Sequence, residues 1–182
     1  MPGFTIHIIT AKEYIKKHPN EIKNEEEFIE GTIAPDLTNN KSETHYGIWK
    51  NLIVTTYLNK MLEDPKVNIN KDYWKGYFLH LYVDNKFYHK YFAEEWKEVV
   101  KNDDRLFHDY DLLNKDLIFN YEINIENYPE EIRKYMRPLD TNEKPKYLNF
   151  SKLKNMIKEL SEININSEVE RIRKEEKQWI QK

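Results

Sequence analysis

The segment Tyr73-Trp74-Lys75-Gly76-Tyr77-Phe78-Leu79-His80-Leu81-Tyr82-Val83-Asp84 constrains this chain more than any other. At about 100° per residue its apolar side chains nearly surround a helix, and a helix without a polar face must lie in the middle of a protein. Two ionisable residues sit inside that stretch. His80 and Asp84 are four apart, so they project about 40° from each other and aim an imidazole and a carboxylate at a common point. Such a pair is buried either as a mutual hydrogen bond or as part of a metal site.

Three upstream motifs favour the metal. His7 stands in Phe4-Thr5-Ile6-His7, Asp36 ends Gly31-Thr32-Ile33-Ala34-Pro35-Asp36, and His45 follows Thr44. Pro35 holds Ala34 extended and stiffens the approach to Asp36. The chain has no cysteine, so a metal must be held by His, Asp, Glu or backbone oxygen. His7, Asp36, His45, His80 and Asp84 are therefore the candidate ligands, of zinc-binding type. Asp84 has two oxygens and can bridge two ions. In a two-metal arrangement ions about 3.5–4 Å apart bring the pKa of a trapped water toward about 7 and so make hydroxide at neutral pH. Asp36 is the candidate catalytic residue, as general base.

The remainder reads as helices. A length of 182 residues suits one domain, 1–182, burying roughly 70% of the surface of the unfolded chain. Thr10-Ala11-Lys12-Glu13 has the form of a capping box, which puts His7 just before a helix. Asn24 opens a short helix closed by Gly31, Ser42 a long one to about Leu62 with His45, Trp49, Leu52 and Thr56 on one face, and Asp72 a central one to about Val99. Asp103 or Asp104 starts the next, striped by Leu106, Tyr110, Leu113 and Leu117. A short helix spans about Tyr128 to Met136. Ser151 and the box Ser167-Glu168-Val169-Glu170 open the last two, with Val169, Ile172 and Trp179 inward. No strand pair stands out, and the expected class is all-α, a multi-helix bundle around a central metal-binding helix.

At these residues the chain resembles the zinc-dependent phospholipase C proteins, which share an all-helical fold with single-strand-specific zinc nucleases. The resemblance rests on the early His7, on Gly31-x-x-x-Pro35-Asp36, on Thr44-His45 and on Gly76-Tyr77-x-x-His80-Leu81-x-x-Asp84, and covers about the first half of the chain. It implies that Asp36, His45, His80 and Asp84 bind one zinc, that His7 and Asp84 bind a second, and that the activity is phosphoester or phosphodiester hydrolysis. Members with three metals carry a further His six residues after the bridging Asp; here His89 is five after Asp84, about 180° from His80 on an unbroken helix, and no third metal is expected.

Two other readings compete. His80, adjacent His108-Asp109 and a distant Asp140 follow the order of an HD-type phosphohydrolase, but His108 falls about 180° from the Leu106/Tyr110 stripe, and Asp36 and His45 go unused. The other is a helical metal-binding domain without turnover. Lysine and arginine number 29 against 32 acidic residues, an interspersed balance giving no general attraction to nucleic acid or anionic membrane. The expected substrate is thus a small-molecule or lipid phosphoester. The N-terminus lacks a basic region followed by an apolar core, and no apolar run reaches membrane-spanning length, so the expected location is cytoplasmic. Tyr73, Tyr77 and Tyr91 read as core residues, and His18 as an exposed one.

Overall fold

A computed structural model describes residues 3–50, 53–55, 57–95 and 105–180. The fold is all-α. Helix α1, Phe4–Lys17, is buried on every side from Phe4 to Ala11, including His7. His7 therefore lies inside a helix rather than before one. Thr10 caps nothing: its hydroxyl donates to the Ile6 carbonyl at 2.8 Å, one turn back in the same helix. The apolar run Phe4-Thr5-Ile6-His7-Ile8-Ile9 gains more by burial as helix than a capping box at its middle could offer.

Helix α2, Glu25–Ile33, is capped by Asn24, whose side chain accepts from the Glu27 amide, and three glutamates fill its positive first turn. Gly31 does not close it. Gly31 is buried where α2 crosses α5, Asp72–Lys86. A β-carbon on Gly31 would stand 1.9 Å from the Tyr73 carbonyl oxygen, and one on Gly76 would stand 2.0 Å from the Phe28 carbonyl oxygen. Neither could coexist with the observed backbone. The two glycines let the helix axes come together, and Thr32 spans the crossing by donating to the Phe28 carbonyl at 2.8 Å and the Gly76 carbonyl at 3.3 Å.

The expected helix from Ser42 to Leu62 is not formed. Its first turn is present as α3, Lys41–Thr44, after which Tyr46 adopts φ 52 and the chain makes a short antiparallel hairpin, Ile48–Lys50 with Ile53–Thr55, before α4, Leu58–Glu63. Ile53, Val54 and Thr55 are β-branched, which weakens helix and favours strand. The side chains of Trp49, Leu52 and Thr56 lie outside the described residues. Likewise, α5 ends at Lys86 and passes into a single π turn, Phe87–Tyr91, and the end of the expected helix at Val99 lies outside the described residues, as do Asp103 and Asp104.

Helix α6, Arg105–Asn120, buries Tyr110, Leu113 and Leu117. It is tied to α1 by Thr5, whose hydroxyl donates to Asn114 Oδ1 at 2.6 Å. The Tyr128 to Met136 segment forms α7, Glu130–Arg133, and a turn, with Tyr128, Ile132 and Met136 inward at every fourth residue. Helix α8, Phe150–Leu160, is capped by Asn149 rather than opened by Ser151. In α9, Ile165–Ile180, Asn164 Oδ1 accepts from the Ser167 amide at 2.8 Å, so the helix starts before the expected box. Val169 is buried and Ile172 partly so; the Trp179 side chain lies outside the described residues. No helix among the described residues is long and apolar enough to cross a membrane.

Candidate metal centre

Four elements deliver five side chains to one buried point. His7 comes from α1, Asp36 from the 3₁₀ turn Ala34–Asp36 that continues α2, His45 from the end of α3, and His80 and Asp84 from successive turns of α5. All are shielded from solvent: the side chains of His7, His45, His80 and Asp84 are fully buried, and that of Asp36 is 5% exposed. Asp84 stands between the imidazoles. Its Oδ1 is 3.3 Å from His7 Nε2, and its Oδ2 is 3.3 Å from His45 Nε2 and 3.6 Å from His80 Nε2. Asp36 Oδ1 is 3.6 Å from His45 Nε2, and its Oδ2 is 4.0 Å from His80 Nε2.

The histidines are oriented by main chain. His80 Nδ1 lies 2.7 Å from the Thr32 carbonyl and His45 Nδ1 lies 2.9 Å from the Lys41 carbonyl. A carbonyl only accepts, so each Nδ1 carries a proton, and the tautomer this selects leaves Nε2 as the ligand atom facing the centre. Those two Nε2 atoms are 3.2 Å apart. His7 lies flat against His80, ring centroids 3.8 Å apart and planes 11° from parallel. Burial, with His7 beside it, pushes His80 down to about 3, so this imidazole is neutral at physiological pH. Burial opposes ionisation of Asp84 too; charge on His80, and protons offered by His45 and His7, would hold its carboxyl well below the usual carboxylate range, but rings that are neutral with Nε2 bare give it no such support. For Asp36 the same opposition of burial is outweighed by His80 and by the Lys41 ammonium, 2.8 Å from Oδ1.

The result is a cluster of acceptors with few donors. Neither oxygen of Asp84 and neither nitrogen of His7 has an aligned hydrogen bond among the described residues, close as they are. Buried polar atoms in that condition are costly unless something absent from the polypeptide satisfies them. Two triads have ligand atoms near enough to share an ion, His7, His80 and Asp84 on one side and Asp36, His45 and His80 on the other. His80 belongs to both, but one nitrogen lone pair serves one ion. A cleft of about 610 Å³ adjoins the centre, lined by Asp36 and Lys41 and also by Phe107, Tyr110 and Tyr135.

The HD set is not assembled. Both oxygens of Asp109 are occupied by the main-chain amides of Lys146, Tyr147 and Leu148 at 2.6–2.9 Å. His108 pairs at the surface with Glu143 at 2.9 Å, Asp140 is exposed, and His89 is exposed on the π turn. His18 is less idle than its position beside Pro19 suggests, stacking on Tyr14 and facing Glu21 at 3.3 Å. Tyr77 donates to the Thr44 carbonyl at 2.5 Å and so braces the segment carrying His45, while Tyr91 bonds Glu159 away from the centre. Sequence alone does not single out Thr32, Lys41 or Tyr110. Two of them act through main-chain carbonyls, which any residue supplies. In comparisons with known proteins the chain matches no protein-family model, no curated protein and no solved structure.

Proposed function

We propose that the chain is a zinc-dependent hydrolase of a small-molecule or lipid phosphoester, with Asp36, His45, His80 and Asp84 holding one ion and His7 with Asp84 Oδ1 holding a second. The observation that carries this reading is Asp84: a wholly buried carboxylate enclosed by three imidazoles with no aligned hydrogen bond to any of them. This division of ligands is the one the resemblance implies; His80, with a single lone pair at Nε2, serves one ion of the two, and the resemblance assigns it to the side bearing His45 and Asp36. Two protein ligands at the second position leave room for water and substrate, as a hydrolytic site requires. The order His7, Asp36, His45, His80, Asp84 is that of the zinc-dependent phospholipase C proteins, and we place the chain beside them.

Bound there, zinc supplies a Lewis acid that polarises a phosphoryl oxygen and acidifies a water molecule. Asp36 touches both the ligand cluster and the cleft, which suits it to accept a proton, and Lys41 fixes its carboxylate while presenting a positive charge to an incoming anion. Phe107, Tyr110 and Tyr135, which line the same cleft, supply the apolar surface expected for the ester's organic part.

Metal analysis of protein purified without chelator tests the first half, with one to two zinc ions per chain as the expected result. Hydrolysis of a panel of phosphomonoesters and phosphodiesters, abolished by chelator and restored by zinc, tests the second. Absence of tightly bound zinc together with no zinc-dependent hydrolysis refutes the proposal. Bound zinc, a chelator-sensitive melting temperature and no hydrolysis refute the enzyme and leave a structural metal domain.

A further inference from the structure

Tyr110 is the clearest buried group without a partner that the metal centre does not use. It projects from α6, its side chain is 6% exposed, and its hydroxyl is buried without a hydrogen-bond partner among the described residues. The ring is held by packing, 6.1 Å from the Phe87 ring and beside Gly3. It also lines the cleft that Asp36 and Lys41 line.

We propose that Tyr110 is a substrate-binding residue whose hydroxyl donates a hydrogen bond to an oxygen of a phosphate-type anion entering through this cleft, which Lys41 also lines. The inference rests on the metal-centre reading for the identity of the anion. A buried hydroxyl without a partner is a cost the folded protein carries, and a ligand oxygen delivered to it removes that cost at the moment of binding. A phenol hydroxyl is a hydrogen-bond donor at neutral pH. It therefore selects an acceptor, as a phosphoryl oxygen is, over a donor. Asp111 of α6, Glu131 of α7 and Lys134 just after α7 also line the cleft, and the ammonium paired with a ligand carboxylate is that of Lys41.

The test compares wild type with Tyr110→Phe, using inorganic phosphate as the probe, by calorimetry of zinc-loaded and metal-free protein, with zinc content and melting temperature measured in parallel. Expected results are an unchanged zinc content, a metal-free melting temperature equal to or above that of wild type because an unpaired hydroxyl is removed, and phosphate affinity in the zinc-loaded form reduced about tenfold, the equivalent of about 1.4 kcal/mol. Equal phosphate affinity in the two proteins overturns the assignment while leaving the metal centre intact. A lower metal-free melting temperature with unaltered phosphate affinity overturns it as well, by showing the hydroxyl to be structural. If wild type takes up no zinc, the metal-centre reading fails on its own, and a phosphate affinity lowered by Tyr110→Phe in the metal-free protein would still support the hydroxyl as an anion donor.

Discussion

Substituting Gly76 by alanine should damage the metal centre without touching a ligand. The new β-carbon would stand 2.0 Å from the Phe28 carbonyl oxygen, whereas ordinary contact begins near 3.4 Å, and the obstacle is backbone, which cannot swing aside. Helices α2 and α5 must then part by about 1.4 Å, taking that from the two distances. His80 lies one turn further along α5 and is oriented by the Thr32 carbonyl of α2 at 2.7 Å; a separation of that size would stretch the bond to roughly 4 Å and end it. Overpacking costs about 1–3 kcal/mol and the lost buried hydrogen bond about 1–3 kcal/mol, against a gain of about 1 kcal/mol for alanine over glycine inside a helix. The net destabilisation of about 3 kcal/mol should lower the melting temperature by roughly 6–12 °C for a chain of this size. Zinc affinity should fall about 10- to 100-fold, as it does when the partner that orients a ligating imidazole is removed. Urea unfolding of metal-free protein and competitive zinc titration measure the two effects. Gly3→Ala is the control, since its β-carbon meets Tyr110 only at 3.6 Å. A Gly76→Ala protein as stable as wild type, with wild-type zinc affinity, would show that the close crossing does not hold His80 in place.

Asp84→Asn should lose zinc affinity by at least about 100-fold, since it removes the charge facing three imidazoles, yet should leave the metal-free protein as stable as before or more so, because an unpaired buried carboxylate is gone. Titration with zinc and thermal unfolding in chelator check both halves, and tight zinc binding by this variant would remove Asp84 from the ligand set. Asp109→Asn should do the reverse: three main-chain amides lose a charged acceptor, lowering stability by about 2–4 kcal/mol in urea unfolding, while zinc affinity is retained. Loss of zinc on changing Asp109 would revive the HD-type arrangement.

The residues that announced themselves in the sequence did so because their surroundings made them expensive. His80 and Asp84 are conspicuous in an aromatic helix, and the all-α class follows from long apolar stripes with few glycines. The capping box at Thr10 puts His7 before a helix because it is a local signal, and the burial that overrides it is tertiary. The segment after His45 shows the converse, with β-branched residues and a positive φ at Tyr46 breaking a pattern that reads as helix. Tyr110 was hidden by its own stripe. A tyrosine at helical spacing looks the same whether its hydroxyl is satisfied or not, and only the packed structure separates the cases. Gly31 reads as helix punctuation, whereas the crossing of α2 over α5 makes it, with Gly76, a point of close contact.

The carbonyl anchors of His45 and His80 also fix the electrical character of the centre. Had carboxylates held those rings, two further negative charges would lie in the interior. Because Thr32 and Lys41 contribute neutral oxygens, the anions among the described ligand residues are Asp36 and Asp84, together equal and opposite to a single divalent ion. With one ion bound the pair would be balanced, and the cleft beside it would hold Lys41 and Lys134 against Asp111 and Glu131. A second ion would then be the uncompensated charge, and the balance would tip toward attracting anions only as that position filled, although the chain as a whole carries a formal net charge of −3.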